Sequence, residues 1–588
     1  MATAPVRADR APFQVQDGVI KETEKEKEKE NENEKDEEEE SDFSPPADEK
    51  QSPTPATATP ATEPKEGDIL GNHLTGFKLF ALLFSTGIIF FALLLDGSII
   101  GTAVPKITSE FHSLPDVGWY SGAYQLTSAV LQPLTGKIYT YFRTKWTLLI
   151  FFLIFEVGSL LCAVATSSTF FILGRAVAGI GVSGLQNGCL IVVAGAVPLQ
   201  QRAFYLGLLI GTGQLGLIIG PLVGGVFTQY VTVSFYINLP IGAVAAALLA
   251  WVHCPEQLVK PPFSLSLVRR VIPQLDVIGF ALFAPAAIML LLALQFGSGN
   301  TYAWDSSVII GLFAGSGVGV LLFLWWEWKA GDAAMIPFSM LSHRIVWAST
   351  IQYVALISGI FVGTQYLPIY FQSVKGEGPV LSGVYLLPGI IVQIVLGILT
   401  GTLIPRIGYY TPFAIFGGVG TTIAAGLIST WGINVSTGTW IGHQILWGFR
   451  GAGVQLAVVA IQNALPPKQG QLAVSFLVFG QTFSTAIFIV VGNTIFTQTL
   501  VRETRRLVPS VDPAAVLQAG GSAQAVRMLV PPGDGPELLA LLKAFANAFD
   551  TVCYLMLAAA AISTLASFGM GWVDIRKKAQ NLSRELVQ

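Results

Sequence analysis

The run Gly216-Leu-Ile-Ile-Gly220-Pro221-Leu-Val-Gly224-Gly225 decides how the rest of the chain is read. It sits in an apolar stretch from Phe204 to Phe227, long enough at about 1.5 Å per residue to cross a bilayer core as a helix. In water this would be a poor helix, because Gly costs roughly 1 kcal/mol and Pro roughly 3 kcal/mol in a helix interior. In lipid, small residues become useful. Gly216, Gly220 and Gly224 fall at i, i+4 and i+8 on one face, where a neighbouring helix can approach backbone to backbone. Pro221 frees a carbonyl and permits a bend on that surface. Two readings follow. One is plain helix packing. The other is a contact on which two parts of the protein slide or rock, with Gly216, Gly220, Pro221, Gly224 and Gly225 as its hinge.

Composition supports a membrane setting for this stretch. The 588 residues are 52% hydrophobic and only 12% charged, against about 25% charged in soluble proteins. The chain therefore reads as an all-α integral membrane protein. Its net charge of −3 hides a segregation: acids crowd the first 65 residues, and the remainder is mildly basic. Cys162, Cys189, Cys254 and Cys553 have no pair spacing, which argues against both a disulfide framework and a metal site.

Residues 1–74 read as a disordered acidic tail, since the Lys/Glu run and the Pro-Thr-Ala repeats bury too little apolar surface to offset ordering entropy. No hydrophobic signal core precedes the first span, so that span is expected to act as the targeting signal. Hydropathy then predicts fourteen transmembrane helices, at 78–101, 117–136, 146–166, 170–196, 204–228, 234–252, 276–296, 307–328, 347–371, 380–404, 411–430, 439–464, 472–496 and 552–573. The implied layout is a six-helix bundle over 75–253, a linker with two inserted helices over 254–346, a second bundle over 347–574, and a tail from 575 to 588. A long outer connection is expected at 497–551, with a short amphipathic stretch from Pro536 to Phe549.

Lys and Arg set the orientation. Lys137, Arg143, Lys145, Arg202, Lys260, Arg269, Arg270, Lys329, Arg344, Arg406 and Lys468 all fall on one side, and Arg576, Lys577 and Lys578 follow the last span. Both termini are thus expected in the cytoplasm. The expected residence is the plasma membrane, with a vacuolar or vesicle membrane as the alternative. Asn434-Val435-Ser436 is a glycosylation sequon on the outer side, close to the membrane.

The two bundles are related by an internal repeat. Gly174-Arg175-Ala-Val-Ala-Gly179-Ile-Gly181-Val182 in the fourth span is echoed by Gly448-Phe-Arg450-Gly451-Ala-Gly453-Val454 in the twelfth. The loops Gly136–Trp146 and Gly401–Phe413 also correspond, each opening on Gly and carrying basic residues. Duplicated helical halves, here two pseudo-symmetric six-helix bundles, are the architecture of alternating-access carriers, with a site near the midplane.

With these features in place, the chain resembles the major facilitator superfamily, and within it the fourteen-span drug:proton antiporter branch. Gly216-x-x-x-Gly220-Pro221-x-x-Gly224-Gly225 is similar to that branch's fifth-span motif, and Phe235-Tyr236-Ile237-Asn238-Leu239-Pro240-Ile241-Gly242 to the segment following it. Leu95-Asp96-x-x-Ile99-Ile100-x-Thr102-Ala103-Val104-Pro105 resembles the first-span motif, and Gly174-Arg175 with Gly179, Gly181 and Gly184 the fourth-span one. The likeness covers nearly everything after residue 75. Among subgroups it is most similar to fungal efflux pumps encoded beside toxin and other secondary-metabolite pathways. Three departures stand out. Thr140 replaces the acid of the usual Gly-x-Leu-Ala-Asp-Arg-x-Gly-Arg-Lys loop, Val231-Thr232-Val233 replaces Trp-Arg-Trp, and Gly97 stands where a bulkier or basic residue is common.

Four charges lie within apolar runs, Asp96, Glu156, Arg175 and Arg450, and each would cost several kcal/mol facing lipid, so all should face inward. Asp96 could simply pair with Arg175. The resemblance implies more: Asp96 as the carboxylate that carries the proton, with Arg175 assisting. Arg450 either lines the cavity or pairs with Glu156. The substrate path is otherwise uncharged, with Tyr124, Gln186, Asn187, Gln214, Gln455 and Gln481 as candidate contacts. Amides and phenols bind carbonyls and hydroxyls without requiring a charged ligand.

The expected function is proton-coupled efflux of a neutral, amphipathic small molecule by a monomer, with the proton as coupling ion and no cofactor or nucleic-acid partner. A proton-linked importer of an iron chelate or nutrient, and a non-transporting membrane sensor, are the alternatives. No Gly-x-x-x-x-Gly-Lys-Ser/Thr loop for ATP occurs. An enzyme is disfavoured, since no His/Cys/carboxylate group in the spans has metal or triad spacing.

Overall fold

The computed structural model describes residues 74–111, 117–226, 236–256, 258, 260–298, 302–518, 523–530 and 535–576. The acidic stretch before residue 74, Val231-Thr232-Val233 and the last twelve positions, 577–588, lie outside the described residues. All regular structure among the described residues is helical. A bilayer core offers no water to the backbone, and a helix satisfies its own N–H and C=O groups.

The first group comprises α1 (Gly76–Phe111), α2 (Val117–Tyr141), α3 (Thr144–Ala163), α4 (Ser168–Ala196), α5 (Arg202–Val226) and α6 (Asn238–Trp251). Then come α7 (Val277–Ser298) and α8 (Ser307–Ala330). The second group is α9 (Arg344–Ser373), α10 (Leu387–Ile407), α11 (Thr411–Ile428), α12 (Thr437–Trp447), α13 (Leu456–Ala464), α14 (Pro467–Leu507) and α15 (Gly535–Ser567). Among the described residues, 11 helical stretches are long and apolar enough to cross a membrane. The expected spans at 117–136, 204–228 and 234–252 also form helices but are not among those 11. One is short, with 14 residues in α6. Another, α2, is diluted by polar side chains that serve its neighbours: Gln132 Nε2 donates to Gln186 Oε1 at 3.2 Å, and the Thr135 hydroxyl donates to the Ser183 carbonyl at 3.3 Å.

Two expected boundaries differ from the structure. The stretch 497–551, expected as a loop, is largely helical: α14 continues to Leu507 and α15 starts at Gly535, so Pro536–Phe549 is the first half of the last helix rather than a separate cap. Phe549 there is buried against Tyr370 and Trp431, and Phe545 against Phe496 of α14. The twelfth span is broken. Gly448–Ala452 winds as a 3-10 turn between α12 and α13, where Gly448 and Gly451 press against α10. A Cβ at Gly451 would run into the Gln393 carbonyl.

Helices α1–α6 pack on one another, as do α9–α15. The two groups touch through α5 against α10 and α2 against α14. Helix α7 lies on both α2 and α14, with Phe283 edge-on to Phe479 at 5.3 Å in a small core shared with Val130 and Phe323.

Candidate functional site

Between the two groups lies a cavity of about 560 Å³, within the range of small-molecule sites. Its wall comes from α1 (Leu93–Ile100), α2 (Trp119–Ser128), α4, α7, α9 (Phe361–Gln372) and α14 (Gln481–Val490). Among the described residues, no Asp, Glu, Lys, Arg or His lines it. Tyr124, Gln186 and Gln481 stand on this wall as expected. Asn187, Gln214 and Gln455 do not. Asn187 donates its amide to Ser475 and so ties α4 to α14, while the Gln455 amide donates to the Gly397 carbonyl at 3.4 Å. Gln214 is buried away from the cavity. Four amides that sequence reasoning passed over do line it: Gln125, Gln295, Gln365 and Gln372.

The opposite, basic end is shut. There α5 meets α10 through glycines: Gly207 faces Gly397 so closely that a Cβ would lie 3.3 Å from the Gly397 oxygen, and Gly401 abuts the Phe204 backbone. Gly136 of α2 sits against Ser475 of α14, and Arg202 donates to Gln462 at 3.1 Å across the same seam.

Of the five residues expected as a hinge in α5, two have described surroundings. Gly216 and Gly220 face α1 of their own group, where a Cβ would strike the Phe91 carbonyl and the Ser98 hydroxyl respectively. Ser98 completes that contact by donating to the Gly216 carbonyl at 3.3 Å. The helical backbone runs on through Pro221, Gly224 and Gly225 to Val226, and the side-chain surroundings of those three lie outside the described residues. Nearer the start of the helix, Gly207 and Gly211 face the second group instead, at Gly397 and Ile394.

One ring behind the cavity is a buried ion pair. Arg175 Nη1 donates to Asp96 Oδ2 at 2.6 Å, with the two side chains 1% and 0% exposed. Asn238 Nδ2 donates to the other Asp96 oxygen at 3.2 Å, and Arg175 Nε donates to the Tyr120 carbonyl at 3.0 Å. The guanidinium carbon stands 4.2 Å from the centroid of the Tyr124 ring, itself part of the cavity wall. A charged pair in so dry a place persists only because its hydrogen bonds are satisfied on several sides.

The other two charges in the spans make no hydrogen bond to the pair. Glu156 has both carboxyl oxygens buried with no hydrogen-bond partner, beside Gly242 of α6. Arg450 neither lines the cavity nor meets Glu156; its Nε donates to Gln393 Oε1 at 2.7 Å and its Nη1 to the Trp447 carbonyl at 2.8 Å. Where the resemblance expects an acid, the Thr140 hydroxyl donates to the Gly136 carbonyl one turn back, at 2.9 Å. Lys137 is tied instead to the segments flanking the inserted helices, donating to the Gln274 carbonyl at 3.0 Å and the Ala333 carbonyl at 2.7 Å. Asn434 is exposed, and the Ser436 hydroxyl of its sequon caps α12.

Two helical groups around a central cavity are the architecture of membrane transporters, and comparison with known proteins gives the family. Residues 86–489 match the model of the Major Facilitator Superfamily, and the chain belongs to it. It is 52% identical to the MFS-type transporter calB of Penicillium decumbens, over 90% of this chain and 94% of that one. It is 44% identical to the efflux pump mlcE of Penicillium citrinum, over 90% of this chain and 98% of that one. Among solved structures, the proton:xylose symporter XylE bound to 6-bromo-6-deoxy-D-glucose superposes with a TM-score of 0.53 at 13% identity, covering 85% of this chain and 98% of its own. At that identity the likeness concerns the fold alone.

Proposed function

We propose that this transporter exports a neutral, amphipathic small molecule in exchange for protons, as a monomer in the plasma membrane with both termini in the cytoplasm. The observation that carries this reading is the cavity itself: amides and hydroxyls on an apolar wall, no charge among the described residues of its surface, and an Asp–Arg pair one aromatic ring away. Relatives named as efflux pumps support the outward direction, as does the similarity of the α5 glycine motif to antiporters.

In this reading a proton taken up by Asp96 removes the charge that holds Arg175. The guanidinium then keeps its stack on Tyr124 and its bond to the Tyr120 carbonyl, and the ring's position couples the pair to whatever occupies the cavity. Rocking about the Gly207, Gly211, Gly397 and Gly401 seam opens the basic end, where the proton leaves and a new substrate enters. With a neutral substrate each cycle carries one positive charge inward. A potential of 100 mV supplies about 2.3 kcal/mol per charge, and each unit of pH adds about 1.4 kcal/mol. The pairing of Asp96 with Arg175 also fits a purely structural role, which transport by an uncharged variant would reveal.

The test is uptake of a neutral fluorescent probe, Nile red, into inside-out vesicles with an acidic lumen. Accumulation that collapses with a protonophore supports the reading. Accumulation only in right-side-out vesicles would favour import, and binding without accumulation would favour sensing.

A further inference from the structure

We propose that α7, one of the two helices inserted between the repeats, is part of the substrate site, and that Gln295 on it selects among ligands. This inference rests on reading the cavity as the substrate site. Three observations lead to it. First, α7 is wedged between the two groups: Phe283 meets Phe479 of α14 at 5.3 Å, and near the other end Phe296 meets Trp119 of α2 edge-on at 5.8 Å. It therefore closes the side of the cavity that α2 and α14 leave open. Second, its outer turns put Leu291, Leu292, Leu294 and Gln295 on the cavity wall, the i, i+1, i+3, i+4 stripe of one helical face. Third, the amide packs on the first group. The Gln295 carboxamide lies over Gly122 of α2, in van der Waals reach of that position.

A carboxamide turned to lipid would cost free energy, and Gln295 stands on the cavity wall. Helix α8 shows the contrast. It presents Leu321, Leu322, Leu324 and Trp325 outward and contributes nothing to the cavity wall. The pair thus divides its work: α8 faces lipid, and α7 faces the ligand. Gln295 adds a third source of amides to those of the first group, Gln125 and Gln186, and of the second, Gln365, Gln372 and Gln481. An amide offers both a donor and an acceptor. The ligand class it reads is a neutral molecule whose carbonyl or hydroxyl oxygen sits on an otherwise apolar face, because the rest of the α7 wall is leucine.

The experiment is cysteine labelling of the full-length chain. The native Cys162, Cys189, Cys254 and Cys553 are buried and give a low background. Gln295→Cys, checked for surface abundance, is expected to react with a membrane-impermeant methanethiosulfonate applied outside intact cells, and Nile red is expected to slow the reaction. Leu321→Cys on α8, 69% exposed, should not react. In parallel, Gln295→Leu should raise the half-saturating Nile red concentration about 3- to 10-fold, as for a lost neutral hydrogen bond, at unchanged surface level. No labelling of Gln295→Cys, or labelling that Nile red leaves unaltered, overturns the proposal. Labelling needs no proton gradient, so its outcome is separate from that of the coupling test: protected labelling with gradient-independent transport sinks only the coupling, and coupled export without labelling sinks only the role of α7.

Discussion

Arg175 and Tyr124 are stacked, guanidinium over phenol, with 4.2 Å between the Arg175 Cζ and the ring centroid. The ring is at once a contact of the buried charge pair and a piece of cavity wall. Tyr124→Leu removes the stack, worth about 0.5–2 kcal/mol, and should shift the pH dependence of transport. Tyr124→Phe keeps the stack and loses only a long 3.4 Å bond to the Leu93 carbonyl, so its pH profile should match the parent protein's. Nile red export measured across pH compares the two.

Breaking the ion pair from one side should cost more than removing it. Arg175→Met leaves the Asp96 carboxylate in a dry site, a loss of about 3–5 kcal/mol. Asp96→Asn with Arg175→Met removes both charges and should recover much of that loss. Thermal unfolding in detergent ranks the variants: the double substitution should melt above Arg175→Met alone, and both should lack proton-driven export.

Two glycines of similar sequence appearance should behave differently. Gly216→Ala forces a methyl into the Phe91 carbonyl within one group, an overpacking of about 1–3 kcal/mol that should lower the melting temperature. Gly401→Ala strikes the Phe204 backbone only where the two groups meet. Its melting temperature should change less, while closure of the basic end is disfavoured. Labelling of Gln295→Cys from outside should then slow in the Gly401→Ala background and not in the Gly216→Ala background.

A fourth expectation concerns the connection into the inserted helices. Burial pushes the Asp276 carboxyl up, but hydrogen bonds from Trp326, the Gly279 N–H, Glu327 and the Met335 N–H outweigh it, so it titrates below its ordinary value. A carboxylate depressed in the folded state adds stability above its unfolded value of about 3.9, and that contribution is lost as pH falls through the folded value. Asp276→Asn, which also tolerates the left-handed backbone there (φ 53°), should therefore melt below the parent protein at pH 6. The gap should close as the pH is taken below about 4.

The helices and the Asp96–Arg175 pair were legible in the sequence for the same reason: an apolar run long enough for a bilayer leaves an ionised side chain no option but to face inward and find its opposite. Which amides reach the cavity was not legible. Gln186 and Asn187 are neighbours in α4, a helix buried around most of its surface, so polarity alone does not tell the face toward the cavity from the face toward α14. Gln295 escaped because α7 has no counterpart in the repeat that pointed to the site. The motif beginning at Gly216 led to the right helix, but close approach within a group and between groups selects the same small residues. Only the partner backbone distinguishes Gly216 from Gly207. The break at Gly448–Ala452 was hidden because an apolar composition suits a 3-10 turn packed against α10 as well as a straight helix.

The central claim is that a proton bound at Asp96 is exchanged for substrate, and proton movement itself measures it most directly. In proteoliposomes carrying a trapped pH dye, with no imposed gradient, a Nile red concentration difference across the membrane should drive a counter-flow of protons in the parent protein. Asp96→Asn, reconstituted to the same density, should give none. Equal proton flow from the two proteins, or Nile red movement in the parent with no proton signal, would contradict the account.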